Sequence, residues 1–155
     1  MGLTVSDSGI AVTPEAVLLD VESATFEEAL QSFEPVVRSS GIISEPGKFL
    51  DEVRLRERSL STVTPEGAAF PHARTACASG LFLAIGRSPR GIAFVPDQAL
   101  VHLIFLIGAP PQGIGEYLTC VAWLARRVRE VETRHALMAA ESVDVFLSAL
   151  AGPRS

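Results

Sequence analysis

The first clear helical pattern of apolar and polar positions lies in the stretch ATFEEALQSFEPVVRSSG, residues 24 to 41. Its apolar residues recur at three- and four-residue intervals, as on one face of a helix: Phe26, Ala29, Leu30, Phe33, Val36 and Val37. Thr25 and Glu28 have the T-x-x-E spacing of a capping box, which predicts the start of the helix. Because Pro35 has no backbone N–H and clashes with the preceding turn, we expect a kink or break there.

A second helix is predicted from Pro46 to Arg58, with its apolar face directed inward. The residues expected on that face are Phe49, Leu50, Val53 and Leu55.

Apolar runs of strand length precede and follow these helices. AVLLDV (16–21) and AAF (68–70) are the first two, and GLFLAIG (80–86) and GIAFV (91–95) are joined by RSPRG. Pro89 and Gly91 suit a type I turn, so this pair is interpreted as a hairpin. ALVHLIFLIGA (99–109) is apolar at successive positions, which predicts a central strand covered on both faces.

Helices close the chain after the breaker PPQGIG. The stretch EYLTCVAWLARRVREV predicts a long helix whose inward residues are Leu118, Val121, Ala122, Leu124, Ala125 and Val128. Two short helices follow, separated near Glu141, and Ser142 is the expected N-cap of the last. The order of elements predicts a mixed α/β sandwich with helices on both faces of the sheet. We expect a flexible arm over residues 1–12, one domain over 13–150 and a tail over 151–155.

Composition supports one domain with a well-buried sheet. The 155 residues are 48% hydrophobic and the mean hydropathy is +0.32. A net charge of −5 argues against nucleic-acid partners and anionic membranes, because both need a basic face. The N-terminus has no basic stretch before an apolar core, and residues 99–109 are too short to span a bilayer, so we expect a cytoplasmic protein without membrane insertion.

The two cysteines, Cys77 and Cys120, have neither C-x-x-C nor zinc spacing, so free thiols in a reducing compartment are predicted. The sequence indicates no cofactor and no metal site. A metal-dependent hydrolase is disfavoured because the histidines lie far apart and form no H-x-H or H-E-x-x-H pattern.

The three histidines differ in context. His102 lies inside the most apolar strand and is predicted to be a neutral core residue bonded to backbone, and His135 lies on the solvent side of a helix. His72, in TPEGAAFPHARTA, follows Pro71 at a predicted strand end, two residues before Arg74. A neutral imidazole there can act as a nucleophile or base, and the nearby cation can bind an anionic group. A plain loop histidine is the alternative.

The segment LRERSLSTVTPEGAAFPHAR (55–74) resembles the signature of a bacterial family. An RE pair, an ST pair and a PHA block recur in this order in the EIIA domains of the fructose, mannitol and nitrogen type of the phosphoenolpyruvate-dependent sugar phosphotransferase system (PTS). Here they are Arg56-Glu57, Ser61-Thr62 and Pro71-His72-Ala73. The resemblance continues through the predicted hairpin, central strand and closing helices, over about residues 14 to 150. It implies the mannitol-type EIIA fold, a mixed five-stranded sheet between two helical layers.

The resemblance also implies roles for individual residues. His72 matches the histidine that accepts a phosphoryl group from the carrier HPr, or a nitrogen-PTS relative of HPr, and passes it to a cysteine of an EIIB domain. Arg56 matches the arginine that would hold the phosphoryl oxygens with a forked donor pair. Thr62 would donate a hydroxyl or cap a turn.

The chain departs from the family where a second histidine is usual, because Tyr117 occupies that position. A tyrosine donates an O–H but carries no positive charge at neutral pH, and Glu116 beside it is negative. Gly113 and Gly115 lie just before the predicted start of the next helix, where free N–H groups would favour an anion, or they serve only to turn the chain.

Two functions remain open from the sequence. The first is phosphoryl transfer through His72. The second is a regulatory module on the same fold, with weakened or lost transfer because of Tyr117, that binds a regulated protein.

Overall fold

A five-stranded mixed sheet forms the centre of the computed structural model, which describes residues 3–5 and 10–152. Two short strands, β1 (Leu3–Val5) and β2 (Ile10–Val12), form a separate two-stranded sheet. The strands of the five-stranded sheet are β3 (Val17–Leu18), β4 (Ala68–Ala69), β5 (His72–Arg74), β6 (Phe82–Ile92) and β7 (Val101–Ala109). The central pair β6–β7 is antiparallel; β3 joins β6 in parallel, and β4 and β5 both pair in parallel with β7. The central strand predicted at 99–109 is confirmed.

The position predicted for the hairpin turn is wrong. RSPRG does not reverse the chain: β6 runs through it as far as Ile92, and the reversal to β7 falls in residues 93–100. The ladder shifts register between Arg87 and Ile92, and Pro89 lies exposed within the shift. A proline is tolerated in a strand where the ladder is interrupted, so the same residues produce a bulge instead of a turn.

Helices cover the sheet. They are α1 (Phe26–Ser32), α2 (Glu34–Ser39), α3 (Pro46–Ser59), α4 (Ile114–Arg129), α5 (Val131–Ala139) and α6 (Val143–Ala151). Both predicted caps are confirmed: Thr25 Oγ1 accepts from the Glu28 N–H and Ser142 Oγ accepts from the Val145 N–H, each at 3.2 Å. The helix breaks at Phe33, between α1 and α2 and just before Pro35, as expected.

The two faces of the sheet are covered by different groups of helices. On the α1–α3 face, the Phe49 ring meets Phe82 edge-on at 5.9 Å, and α3 packs so closely over Gly108 that a Cβ there would lie 2.9 Å from Phe49. On the opposite face, α4 packs against β7, and Arg87 reaches the end of α5. The predicted mixed sheet between two helical layers is confirmed.

Some inward residues were assigned wrongly. Leu55 is 63% exposed and Leu118 57% exposed, and Ala122 is exposed as well. The buried stripe of α3 continues from Phe49 and Val53 toward residue 56, about 100° of helix from Leu55. The buried residues of α4 are Cys120, Trp123, Leu124 and Val128, so Leu118 and Ala122 fall outside that stripe.

The ends also differ in detail from the predicted pattern. Only Val17–Leu18 of the predicted strand at 16–21 is a strand, and it follows a 3₁₀ turn at Pro14–Ala16. Within the predicted arm, β1 pairs antiparallel with β2, and Val12 is buried. Ala151, predicted to belong to the tail, ends α6; residues 1, 2, 6–9 and 153–155 lie outside the described residues.

Among the described residues, no helix has the length and apolar character needed to cross a bilayer. Cys77 and Cys120 are free and buried, in agreement with the prediction of free thiols. Burial raises the pKa of Cys120 to about 12, so it remains an unreactive thiol at neutral pH.

Candidate functional site

A cleft of about 500 Å³ opens where the second half of α3, strand β5 and the start of α4 meet. Its lining residues are Glu52, Leu55, Arg56, His72, Ala73, Arg74, Ile114 and Tyr117. Four residues predicted from sequence to act together, His72, Arg56, Arg74 and Tyr117, therefore lie in one cleft although they come from three separate segments.

Strand β5 directs His72 into the cleft. Pro71 needs no hydrogen-bond acceptor, and its carbonyl accepts from the Ile107 N–H at 3.0 Å, which fixes the start of β5 against β7. Alternate side chains of a strand point to opposite faces, so His72 and Arg74 share a side while Ala73 between them is buried. The short strand thus presents an imidazole and a guanidinium to the same space.

One ring nitrogen of His72 is held by the backbone. Nδ1 lies 2.8 Å from the carbonyl oxygen of Phe70. Because a carbonyl only accepts, Nδ1 carries the proton in this hydrogen bond when the ring is neutral, and the lone pair is on Nε2. Nε2 has no hydrogen-bond partner within the part of the chain that the structure describes.

The surroundings keep His72 neutral. The side chain is half-buried, and this desolvation is the main reason that its pKa falls below the usual 6.5. The Phe70 carbonyl raises the pKa, the Arg56 charge lowers it, and the Glu57 charge raises it, in decreasing order of effect. At neutral pH the imidazole is therefore an uncharged group with an available lone pair.

Tyr117 packs directly against His72. The two ring centroids are 5.1 Å apart and the planes are inclined by 40°. Burial raises the pKa of Tyr117, and the Arg56 and Arg74 charges reduce that rise without cancelling it. Tyr117 therefore brings a neutral O–H to the cleft, as its identity predicts, and not a charge.

The positive charge of the cleft comes from two arginines. Arg56 is half-buried on α3, and Arg74 is exposed on β5. Neither forms a salt bridge with any carboxylate of residues 3–5 or 10–152. Their guanidinium groups are thus available to an anion, although Glu52 contributes a negative charge to the same wall. Glu116, the carboxylate singled out from sequence, is exposed and does not line the cleft.

Three predicted residues are not on the cleft wall. Thr62 uses its hydroxyl within the protein, donating to Glu57 Oε1 at 2.8 Å and accepting from the Phe70 N–H at 2.9 Å. The Gly113 N–H donates to the Pro110 carbonyl at 2.9 Å, so it is not available to an anion. Gly115 lies in the first turn of α4, where backbone N–H groups lack partners within the helix, but it does not line the cleft.

The other two histidines agree with their predicted settings. His102 is half-buried in β7, and its Nδ1 lies 2.9 Å from the Ser88 carbonyl oxygen. His135 is exposed on α5. Neither lines the cleft.

Sequence reasoning missed the apolar rim of the cleft. Leu55 and Ile114, 63% and 46% exposed, lie on its two sides. Each is a large apolar residue that lies off the buried stripe of its helix. The sequence could show this only if the rotation of the helix relative to the core were already known. Glu52 was missed as well, because it is one of several charges along α3.

Known proteins are similar to this chain in sequence and fold. The family described as "Phosphoenolpyruvate-dependent sugar phosphotransferase system, EIIA 2" matches residues 11–152. The "PTS system fructose-specific EIIA component" of Haloferax volcanii is 30% identical over 142 residues, which are 90% of this chain and 92% of that protein. The "PTS system fructose-specific EIIABC component" of Bacillus subtilis is 28% identical over 88% of this chain, which spans only 22% of that longer protein.

A solved structure extends the likeness to three dimensions. The nitrogen regulatory protein IIA-Ntr from Neisseria meningitidis superposes with a TM-score of 0.80 at 25% sequence identity. The match covers 88% of this chain and 94% of the Neisseria chain. The similarity therefore extends over most of the fold.

Proposed function

Because the chain belongs to the EIIA type 2 family of the PTS, we propose that it is a cytoplasmic phosphocarrier in which His72 is the phosphoryl acceptor. The donor is an HPr-like protein or a nitrogen-PTS homologue of it. The acceptor is a cysteine of an EIIB partner. The Bacillus subtilis relative, an EIIABC component, supports the choice of EIIB as the protein that receives the phosphoryl group next.

The state of the His72 ring is the observation that carries this proposal. Its Nδ1 proton is engaged by the Phe70 carbonyl at 2.8 Å, and its lowered pKa leaves the Nε2 lone pair unprotonated at neutral pH. A nucleophile must offer such a lone pair, because a protonated ring nitrogen cannot attack phosphorus. The cleft around it has the space and the cations for a dianionic group.

The transfer is a direct displacement at phosphorus. Nε2 of His72 forms the new N–P bond while the N–P bond of the donor phosphohistidine breaks, and the donor nitrogen takes back the electron pair. The proton stays on Nδ1 throughout, hydrogen-bonded to the Phe70 carbonyl, so the ring needs no proton transfer to react. In the second step a partner thiolate attacks phosphorus, and the electron pair of the N–P bond returns to Nε2.

Arg56 and Arg74 stabilise the moving group. Phosphoryl transfer depends mainly on in-line positioning and on stabilising the charge of the equatorial oxygens. Two guanidinium groups that line the cleft, one from α3 and one from β5, suit this task, since each offers a fork of N–H donors. The neutral Tyr117 O–H adds a donor but no charge.

Reconstitution tests the proposal. The chain is incubated with phosphoenolpyruvate, enzyme I and HPr from the same organism, and intact mass is measured before and after acid treatment. We expect one acid-labile phosphoryl group, absent from His72→Ala and present in His135→Ala, a matched control on an exposed histidine. The proposal is wrong if wild type gains no label with these partners or if His72→Ala is still labelled.

A regulatory module with weakened transfer is the second candidate, and one observation favours it. Tyr117, neutral and packed on His72, stands where the resemblance predicts a second histidine. Tyr117→His separates the candidates by the rate of phosphoryl acceptance. If the arginines supply enough charge, the rate changes by less than about tenfold, or 1.4 kcal/mol. A much larger rise indicates that transfer in the natural chain is impaired and favours regulation.

A further inference from the structure

Four hydrogen bonds connect the end of α3 to the His72 ring. The Glu57 carboxylate accepts from the Thr62 N–H at 2.7 Å and from the Thr62 O–H at 2.8 Å. Thr62 Oγ1 accepts from the Phe70 N–H at 2.9 Å, and the Phe70 carbonyl accepts from His72 Nδ1 at 2.8 Å. We call this series the Glu57–His72 relay.

We propose that Glu57 and Thr62 are positioning residues that select the protonated nitrogen of His72: they hold the backbone N–H of Phe70, and through it the orientation of the Phe70 carbonyl that binds Nδ1. This inference rests on the proposed function, because it concerns how His72 is prepared for phosphoryl transfer. Neither residue touches the phosphoryl group: both lie off the cleft wall.

The polarity of the relay permits only one arrangement. An ionised carboxylate accepts and never donates, so the Thr62 hydroxyl must direct its proton to Glu57. The lone pairs of Thr62 Oγ1 then remain for the Phe70 N–H. Thr62 is thereby fixed as an acceptor toward Phe70. A second hydrogen bond, from the Thr62 backbone N–H to the same carboxylate, holds the Thr62 backbone in place as well.

The Phe70 N–H needs such a partner because it falls in a gap in the sheet. Strand β4 ends at Ala69 and β5 begins at His72, and both pair with β7. The buried Phe70 between them is anchored by its ring, which stacks on Phe105 at a centroid distance of 5.2 Å. Thr62 supplies the hydrogen bond that the ladder does not, as expected for a buried backbone donor.

Orientation of the Phe70 carbonyl determines the tautomer of His72. On one side of this carbonyl, the Phe70 N–H is held by Thr62. On the other side, Pro71 has a fixed φ and its own carbonyl is bound to β7 at 3.0 Å. With the backbone held on both sides, the Phe70 carbonyl points at Nδ1 and keeps the proton there. A ring without that partner populates both neutral tautomers, and in one of them the proton occupies Nε2, the nitrogen that must attack.

Thr62 variants separate this role from charge effects. Thr62→Val removes the hydroxyl while preserving the side-chain shape and the charge of Glu57, and Thr62→Ser retains the hydroxyl. Ser61→Ala is the matched control, because the Ser61 hydroxyl accepts only from the nearby Val63 N–H, at 3.2 Å, outside the relay. Each chain is labelled with ¹⁵N-histidine, and the His72 ring shifts are measured without partner proteins; the rate of phosphorylation by HPr is measured separately.

Wild type, Thr62→Ser and Ser61→Ala are expected to show one tautomer, with the proton on Nδ1. Thr62→Val is expected to show both tautomers and a fall of about tenfold or more in kcat/KM for phosphoryl acceptance, because a misplaced nucleophile loses its alignment. Retention of the Nδ1–H tautomer in Thr62→Val overturns the proposal, whatever happens to the rate.

If Thr62→Val does not fold, Glu57→Leu is measured in the same way, since leucine removes both carboxylate oxygens that accept from Thr62. Unchanged His72 shifts in that variant overturn the proposal. The tautomer measurement needs no phosphoryl donor, so the relay can be supported even when wild type fails to accept phosphate, which is the result that contradicts the proposed function.

Discussion

Two adjacent side chains of α3 shift the pKa of His72 in opposite directions. The Arg56 charge lowers the pKa of the imidazole, and the Glu57 charge raises it, although burial has a larger effect than either. The RE pair identified in the sequence therefore has two separate roles in the structure: Arg56 faces the cleft, whereas Glu57 faces Thr62. Sequence reasoning located the pair by resemblance but could not divide the roles, because that depends on which way each side chain leaves the helix.

The lowered pKa of His72 predicts the pH dependence of phosphoryl acceptance. Acceptance needs the neutral ring, whose folded pKa lies below 6.5, so we expect the rate to fall with decreasing pH with a midpoint below 6.5. In the unfolded chain the histidine has its ordinary pKa, so it binds the proton first as pH falls. His72 therefore lowers the free energy of unfolding as pH falls from 6.5 to the folded pKa, and the loss persists below that pKa. A rate midpoint at or above pH 6.5 would contradict this.

Arg56→Met tests the electrostatic contribution. Removing the positive charge should raise the pKa of His72 toward 6.5, because the Glu57 charge then acts without opposition. The same variant should lower kcat/KM by tenfold or more if Arg56 binds the phosphoryl group as proposed. The pKa is read by NMR titration of the His72 ring. Arg58→Met, an exposed arginine on the same helix, is the control and should change neither quantity.

Local signals determine the helices well at their ends and less well along their faces. Thr25, Pro46 and Ser142 were sufficient to place helix starts, since capping depends on a few neighbouring residues. The inward faces of α3 and α4 depend on tertiary packing, and Leu55 and Leu118 were assigned to the core because they are apolar. Likewise, Pro89 and Gly91 were read as a turn, although the pairing of β6 with β7 retains them in a strand with a bulge.

The packing of β6 against the α1–α2 break predicts a sensitive glycine. A Cβ on Gly86 would lie 2.7 Å from Phe33 Cζ and 3.1 Å from Val21 Cγ2. Gly86→Ala should therefore reduce the free energy of unfolding by about 1–3 kcal/mol, the usual cost of overpacking a core. Chemical denaturation measures this value. Gly80→Ala, where an added Cβ meets nothing within 4 Å, should stay within about 0.5 kcal/mol of wild type; equal effects of the two substitutions would show that the contact is unimportant.

The candidate site forms only when the chain folds, because its residues come from separate segments. Arg56, His72 and Tyr117 come from a helix on one face of the sheet, a strand within it and a helix associated with the other face. The resemblance connected these residues in the sequence, but composition and periodicity alone could not. Glu52 and the rim residues Leu55 and Ile114 were recognisable only when the three segments had been brought together.

The buried side chain of Arg87 connects β6 to the segment after β3 and to the end of α5. This buried residue of β6 donates from Nε to the Leu19 carbonyl at 3.0 Å and from a terminal nitrogen to the carbonyls of Leu137 and Ala140 at 2.9 and 2.6 Å. Arg87→Met leaves these buried acceptors unpaired, so we expect a loss of about 3 kcal/mol or more in the free energy of unfolding. Thermal and chemical unfolding measure the loss. Arg90→Met, at an exposed position of the same strand, should have little effect, and a similar loss there would contradict this role for Arg87.

Tyr117 is the sole tyrosine of the 155-residue sequence, and its ring lies against His72. The tyrosine NMR signals of this protein therefore originate at the candidate site itself. If His72 accepts a phosphoryl group as proposed, its loading and unloading can be followed in real time on the unaltered polypeptide, without a dye, a radioisotope or an engineered fluorophore.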